Sequence, residues 1–258
     1  MPHAIYPTTG KAQEYCPLAV NLYKGCAHGC TYCYAPAATY TSREKFNDPV
    51  PRKGIIELLE KDVATGAYKG KEVFLCFSCD PYQPIDEKHQ LTRKAIQILH
   101  ENEVKVRILT KASDERSLRD FDLLSARPDL SAFGYTLTFV DEDLSRKFEP
   151  HASEPVARFF ALNEAHEQGI PTWVSLEPII DPEETLKCIV YTHRYVDEFR
   201  VGKWNYDKRV KEINWPETRD RVIVLLEKLG YVDAEMGGKI KQPFKKIYYI
   251  KKDLREAK

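Results

Sequence analysis

The chain reads as an α/β protein built as an open (β/α)6 partial barrel of the TIM type, with a short basic C-terminal extension. Three observations carry this reading. From residue 72 onward, short β-branched or aromatic runs alternate with amphipathic stretches, as repeated βα units on a parallel sheet do. Prolines and glycines fall where the helices of such units would begin and end. A knot of cysteines follows the first expected strand, and the carboxyl ends of strands are where parallel α/β proteins gather their sites.

The elements follow in order. Strands are expected over 19–23, 73–78, 105–110, 133–139, 172–177 and 198–201, and helices over 54–64, 92–102, 118–126, 155–168, 182–196 and 215–229. The helical stretches carry apolar residues at steps of three and four, as in Ala95, Ile98, Leu99 and in Val222, Leu225, Leu226, Leu229. Pro155 and Pro182 stand at helix starts, where the missing amide would have no intrahelical partner. Gly169 and Gly230 stand just past helix ends, as left-handed caps do. Right-handed crossovers joining so few strands curl into three-quarters of a barrel, since closure takes eight. The expected organisation is a lead-in over 1–15, the barrel over 16–230 and an appended segment over 231–258, with Gly237-Gly238 followed by charge.

Composition bounds the function classes. At 258 residues the chain suits one domain of barrel size. Lys+Arg and Asp+Glu both number 39, so no net field draws the molecule onto nucleic acid or membrane, and any such patch must be local. Apolar stretches such as 222–226 fall far short of the roughly 20 residues of a membrane span. The first residues, Met1 to Pro7, show neither a basic n-region nor an apolar h-region, so a cytoplasmic protein is expected. Seven cysteines, an odd number with three clustered, indicate metal and thiol chemistry in a reducing compartment rather than a disulfide frame.

The cluster is Cys26, Cys30 and Cys33, spaced CxxxCxxC. Three thiolates on a cubane 4Fe-4S cluster leave one iron open to a ligand that is not protein. Zinc is the other occupant considered, and it would need a fourth ligand, with Cys16 or His28 at hand. Gly25 and Gly29 let the backbone wrap tightly. Downstream, the expected strand ends carry polar residues that a core strand would not choose: Ser78-Cys79-Asp80, Thr110-Lys111, Thr136 to Thr138, and Ser175 to Glu177. Cys188 reads as a core residue, and Cys16 as a core residue or a rim thiol.

With Tyr32 directly before the third cysteine, the motif resembles that of the radical S-adenosylmethionine (SAM) superfamily. The resemblance implies that SAM binds the open iron and that the reduced cluster cleaves it to a 5'-deoxyadenosyl radical. It further implies that Tyr32 lies beside the adenine and that Ser78 and Asp80 meet the methionyl amino or carboxylate group. Thr136 and Thr138 would hold ribose or carboxylate, Ser175 and Glu177 would back the adenine, and Thr110 and Lys111 would complete the set. A reductant such as flavodoxin or ferredoxin is implied as a partner.

Within that superfamily the phrases Asn21 to Ala35, Asp80 to Pro84, Leu91 to Arg93, Leu109 to Lys111 and Phe148 to Pro150 resemble the spore photoproduct lyase-related, DNA-repair photolyase-like branch. In the lyase a cysteine at the end of the second strand returns hydrogen to the product. Registered on Asp80, this chain has Phe77 at the donor position and Cys79 at a neighbouring serine, with Cys76 turned to the opposite face by strand alternation. Cys79 and Cys76 are therefore the candidate hydrogen donors, and the cofactor chemistry transfers while the lesion chemistry does not. Residues 239–258 hold eight Lys/Arg against two acids, interleaved with Phe244, Tyr248 and Tyr249, and Lys203 to Arg209 is similar. Such stretches suit nucleic acid. Modification of RNA, a peptide or a small molecule is the alternative activity, and a non-catalytic iron-sulfur or zinc protein is the alternative class.

Overall fold

The alternating apolar runs form strands in a computed structural model that describes residues 3–112, 114–205, 207–235 and 246–258. In chain order the strands are β1 (Tyr6–Pro7), β2 (Leu18–Val20), β3 (Tyr23–Lys24), β4 (Val50–Pro51), β5 (Glu72–Leu75), β6 (Lys105–Thr110), β7 (Ser131–Thr136), β8 (Thr172–Ile179), β9 (Glu198–Lys203), β10 (Val232–Asp233) and β11 (Ile247–Ile250). The helices are α1 (Ala35–Ala38), α2 (Arg43–Phe46), α3 (Ile55–Val63), α4 (Ile85–His89), α5 (Leu91–Glu101), α6 (Asp114–Leu118), α7 (Phe121–Ala126), α8 (Glu142–Phe148), α9 (Pro155–Glu167), α10 (Pro182–Thr192), α11 (Trp215–Lys228) and α12 (Lys252–Arg255).

Nine strands share one sheet in the order β1-β2-β5-β6-β7-β8-β9-β11-β10, while β3 and β4 pair separately. From β2 to β9 every pairing is parallel and follows chain order, with helices in the connections, as the expected βα units require. Among the described strands of this sheet only β1 runs antiparallel, at one edge, and the separate pair β3 and β4 is antiparallel as well.

Element ends differ from expectation where a side chain captures backbone. The second barrel strand stops at Leu75 rather than 78, because Asn21 Oδ1 accepts from the amides of Phe77 and Ser78, each at 2.9 Å, and bends them out of the ladder. The helix expected over 118–126 breaks into α6 and α7, with Asp120 buried at the break and accepting from Arg93 Nη1 at 3.1 Å. The segment expected to hang from the barrel supplies β11, which pairs parallel with β9 from Ile247↔Glu198 to Ile250↔Val201. Its alternation explains this: Tyr248 and Ile250 are buried in the main core.

Strand alternation divides the interior into two layers. Val73, Leu75, Val106, Ile108, Phe133, Tyr135, Val174 and Leu176 join helix residues such as Leu59, Leu99 and Leu162 in the main core. The alternate residues Phe74 and Trp173 pack with Cys16 and Ala19 in a second cluster against Tyr15, Phe77, Leu109 and Ala132. Trp173 fits because residue 134 is glycine, where a Cβ would stand 2.4 Å from the Trp173 carbonyl oxygen. Its indole donates to the Ile108 carbonyl at 3.0 Å. Above the indole, at 5.0 Å, Arg107 is held by Glu72 at 3.0 Å and Glu198 at 2.9 Å. Burial opposes ionisation of Glu198, but Arg107 and Arg200 overcome it and hold its carboxyl at about 2. This packing leaves space at the carboxyl ends of the strands.

Candidate functional site

That space is a cavity of about 420 Å³. One wall is the loop from Gly25 to Tyr34 that leaves β3. At Gly25, with φ +88°, a Cβ would stand 2.4 Å from the Phe46 carbonyl oxygen, which accepts from the Cys26 amide at 2.8 Å. Buried Gln83 accepts from the Ala27 amide at 3.0 Å and donates to the Gly25 carbonyl at 3.3 Å. Arg43 donates outward-facing bonds to the carbonyls of Cys30, Thr31 and Cys33 at 2.8, 3.2 and 3.3 Å. His28 sets its Nδ1 3.1 Å from the His151 carbonyl and its Nε2 3.1 Å from Asp80 Oδ2, close enough for an ion pair though not aligned as a hydrogen bond.

The backbone is thus gripped from behind, and the thiols of Cys26, Cys30 and Cys33 line the cavity. All three are free, and burial pushes the Cys30 thiol up to about 12. Among the described residues no three His, Cys, Asp or Glu side chains gather as ligands of one metal ion. A tetrahedral zinc would need such convergence. Its possible fourth ligands are committed elsewhere, Cys16 to the Glu72 carbonyl at 3.2 Å and His28 as above. A cubane presents each iron at a separate corner, so three thiols that line one cavity suit it without a fourth.

Every other expected site residue except Thr138 also lines this cavity. Thr138 lies behind Tyr32, 3.4 Å from its hydroxyl. Tyr32 is fixed by a hydrogen bond to Glu149, which pairs with Arg158 at 2.6 Å, both side chains about 1% exposed. Arg158 reaches on to the Thr136 carbonyl at 3.0 Å. Lys111 carries its ammonium 5.7 Å over the Tyr32 ring, and that ammonium makes no hydrogen bond or ion pair with a described residue. Burial acts to lower its pKa, but Cys30 and Glu149 outweigh that and raise it.

Several of these cavity-lining residues are also bound into the wall. Asp80 accepts from Thr110 Oγ1 at 2.7 Å, the Lys111 amide at 2.8 Å and the Tyr82 amide at 2.9 Å. Burial would raise its pKa, yet His28 and these bonds hold it at about 2. Thr110 in turn accepts from the Ala112 amide at 2.9 Å. Glu177 accepts from Tyr15 at 2.6 Å and pairs with Lys251 at 2.8 Å, and the Tyr15 hydroxyl is 2.7 Å from Ser175 Oγ. The alternation argument for Cys76 fails because β5 ends before it: Cys76 and Cys79 line the cavity together. Phe77, between them, stacks on Phe74 with centroids 4.1 Å apart.

Sequence reasoning missed Arg43, Gln83, Arg158, Tyr15 and Lys251 as parts of the site. For Lys251 a signal existed, since it directly follows the alternating run 247–250 as a strand-end residue would. Among the described residues of the basic tail, Lys251 is engaged as above, Arg255 pairs with Asp233 at 2.8 Å, and Lys246 donates to the His193 carbonyl. Lys239, Lys241, Phe244 and Lys245 lie outside the described residues, as does Tyr206. In the 203–209 stretch, Lys203 sits 4.8 Å over Trp215, and Arg209 pairs with Asp207 at 2.8 Å while covering Trp204 at 4.5 Å.

A family model described as the radical SAM superfamily matches residues 20–196, from just before the cysteine loop to just past α10. The chain belongs to the radical SAM superfamily. It is 28% identical over 221 residues to the uncharacterized protein MJ0683 of Methanocaldococcus jannaschii, covering 83% of this chain and 81% of that one. It is 28% identical over 176 residues to the uncharacterized protein ORF301 of Acidianus two-tailed virus, covering 64% of this chain and 57% of that one. Its fold is similar to that of spore photoproduct lyase complexed with dinucleoside spore photoproduct, with a TM-score of 0.65, 13% identity, and 95% of this chain and 78% of that one covered. It is also similar to Streptococcus suis SuiB bound to S-adenosylmethionine, with a TM-score of 0.62, 12% identity and 81% of this chain covered. The chain spans about half of SuiB's length, 47%. These likenesses show the α/β partial-barrel fold of the superfamily. No helix among the described residues is long and apolar enough to cross a membrane.

Proposed function

We propose that the chain is an enzyme of the spore photoproduct lyase-related branch that holds a 4Fe-4S cluster at Cys26, Cys30 and Cys33 with SAM beside it. When bound and reduced, this pair supplies a 5'-deoxyadenosyl radical that abstracts hydrogen from a substrate. One observation carries the reading: the three thiols and the polar ends of four parallel strands open on a single cavity. The remaining steps belong to the chain's own side chains. Tyr32, locked by Glu149, offers a fixed flat surface to the adenine, and Lys111 offers an ammonium free to take a carboxylate. Ser78, Thr136 and Ser175 are hydroxyls at the wall, while Asp80 and Thr110 position the wall itself. Glu177 faces the cavity already paired with Lys251, which suits acceptance of a ribose hydroxyl.

Cys76 and Cys79 are assigned the return of hydrogen. Burial raises the Cys76 thiol well above its ordinary range, so it keeps the S–H bond that a hydrogen-atom donor needs. Lys203, Trp204 and Asn205 at the cavity wall support substrate contact from that stretch. Arg209 and Lys251 are engaged internally, so they lend a nucleic-acid substrate no support. Seven free cysteines suit the reducing cytoplasm.

The test is anaerobic reconstitution with iron and sulfide, then dithionite and SAM. Formation of 5'-deoxyadenosine is expected, together with loss of cluster absorbance when any of Cys26, Cys30 and Cys33 is changed to alanine. A reconstituted protein that releases no 5'-deoxyadenosine would sink the enzyme reading.

A further inference from the structure

The chain's cysteines fall into three groups. Cys26, Cys30 and Cys33 belong to the proposed cluster, while Cys16 and Cys188 are core residues. Cys76 and Cys79 remain, spaced CxxC directly after β5 of a parallel sheet. In a reducing compartment that spacing suits a reversible dithiol. Cys30 and Cys33 share it, but the cluster takes them with Cys26. Two cysteines so spaced can bridge only where the chain turns back and brings their Cα atoms close, so the turn decides the matter.

Here the turn is made and held. The chain bends at residues 77, 78 and 79. Three separate anchors grip it from inside the bend. Asn21 Oδ1 accepts from the amides of Phe77 and Ser78, each at 2.9 Å, and the Tyr34 hydroxyl donates to the Phe77 carbonyl at 3.3 Å. The Phe77 ring lies nearly parallel to Phe74, with 11° between the planes. The cysteines at the two ends of this turn both line the cavity, 6% and 8% exposed, and both are free. Cys79 is also among the groups that push the Cys76 thiol up, as a close neighbour does.

We infer that Cys76 and Cys79 are a reversible dithiol–disulfide couple, closed by a small disulfide that enters the cavity and reopened by a dithiol. In closing, both S–H bonds break and one S–S bond forms. The S–S bond of the incoming disulfide breaks and takes up the two hydrogens, so the pair loses two electrons and the reagent gains two. The consequence for the reaction rests on the hydrogen-return role given above. A bridged pair has no S–H bond to give, so hydrogen return stops until a dithiol reopens it. The cluster thiols, on a separate loop, take no part.

The test uses the full chain loaded with its cluster, without SAM, equilibrated anaerobically against mixtures of oxidised and reduced dithiothreitol. Burial keeps Cys76 from the thiolate form that exchanges, so equilibrium is approached from both directions. Samples are quenched in acid, denatured, alkylated with iodoacetamide and digested with trypsin. Residues 72–88 leave as one peptide that carries both cysteines. As the oxidised reagent rises, this peptide is expected to lose both labels and to weigh two hydrogens less than its reduced, unlabelled form. Both labels should return in the reduced reagent, and the peptides with Cys16 and Cys188 should keep theirs throughout. Cys79→Ser should leave Cys76 labelled in every mixture, and Cys76→Ser should do the same for Cys79, so the control survives if one variant fails to fold. Labels on both cysteines in every mixture would overturn the inference, as would a bridge from either one to any other cysteine. A bridge in protein that makes no 5'-deoxyadenosine would remove the role in hydrogen return and leave the couple, whereas 5'-deoxyadenosine from protein that never bridges would remove the couple and leave the enzyme.

Discussion

At the scale of single residues, the Arg158–Glu149 pair fixes the aromatic wall of the site. Both side chains are about 1% exposed, and Tyr32 is tied to the same carboxylate. Removing one partner of a buried pair leaves the other charge without compensation, which costs about 3–5 kcal/mol. Arg158→Met is therefore expected to lower the urea midpoint by that free energy, and the double variant Arg158→Met with Glu149→Gln should recover part of it. An unchanged midpoint in Arg158→Met would show that the pair does not hold the wall. The three cysteines at the cavity were legible in the sequence because their grouping is local: one loop supplies all three thiols. The partner of Glu177 was not legible, since Lys251 lies 74 residues away and its charge reads equally as a solvated tail.

At the scale of elements, alternation and helical spacing placed all six expected barrel strands, and side-chain capture moved their ends. Asn21 is the instructive case. A residue that reads as an interior strand position accepts two amides from the neighbouring strand end, and so turns both Cys76 and Cys79 onto the cavity. No periodicity encodes that bond. The cysteine loop itself depends on Gly25, whose positive φ and close approach to Phe46 exclude a side chain. Gly25→Ala should leave the far-ultraviolet circular dichroism of the barrel intact and lower the iron bound per chain after reconstitution. Full iron content in that variant would contradict the role given to the loop's shape.

At the scale of the molecule, the sheet is completed by the end of the chain. Strand β11 adds to β9, and Lys251 then reaches Glu177 at the cavity wall. Deletion of residues 246–258 exposes the edge of β9 and leaves Glu177 without its cation, so loss of soluble protein is expected, while Lys251→Met should remain folded and bind SAM more weakly by calorimetry. Soluble, cluster-loaded protein after the deletion would show that the terminal strand is dispensable. The sequence by itself determined the α/β class, the order of the barrel strands, the CxxxCxxC cysteine motif and the radical SAM kinship, because each is written in local periodicity or local spacing. Only the tertiary structure decided which polar strand ends face the cavity free and which are knotted to one another, because hydrogen bonds between distant strands settle that competition and leave no trace in the spacing of residues.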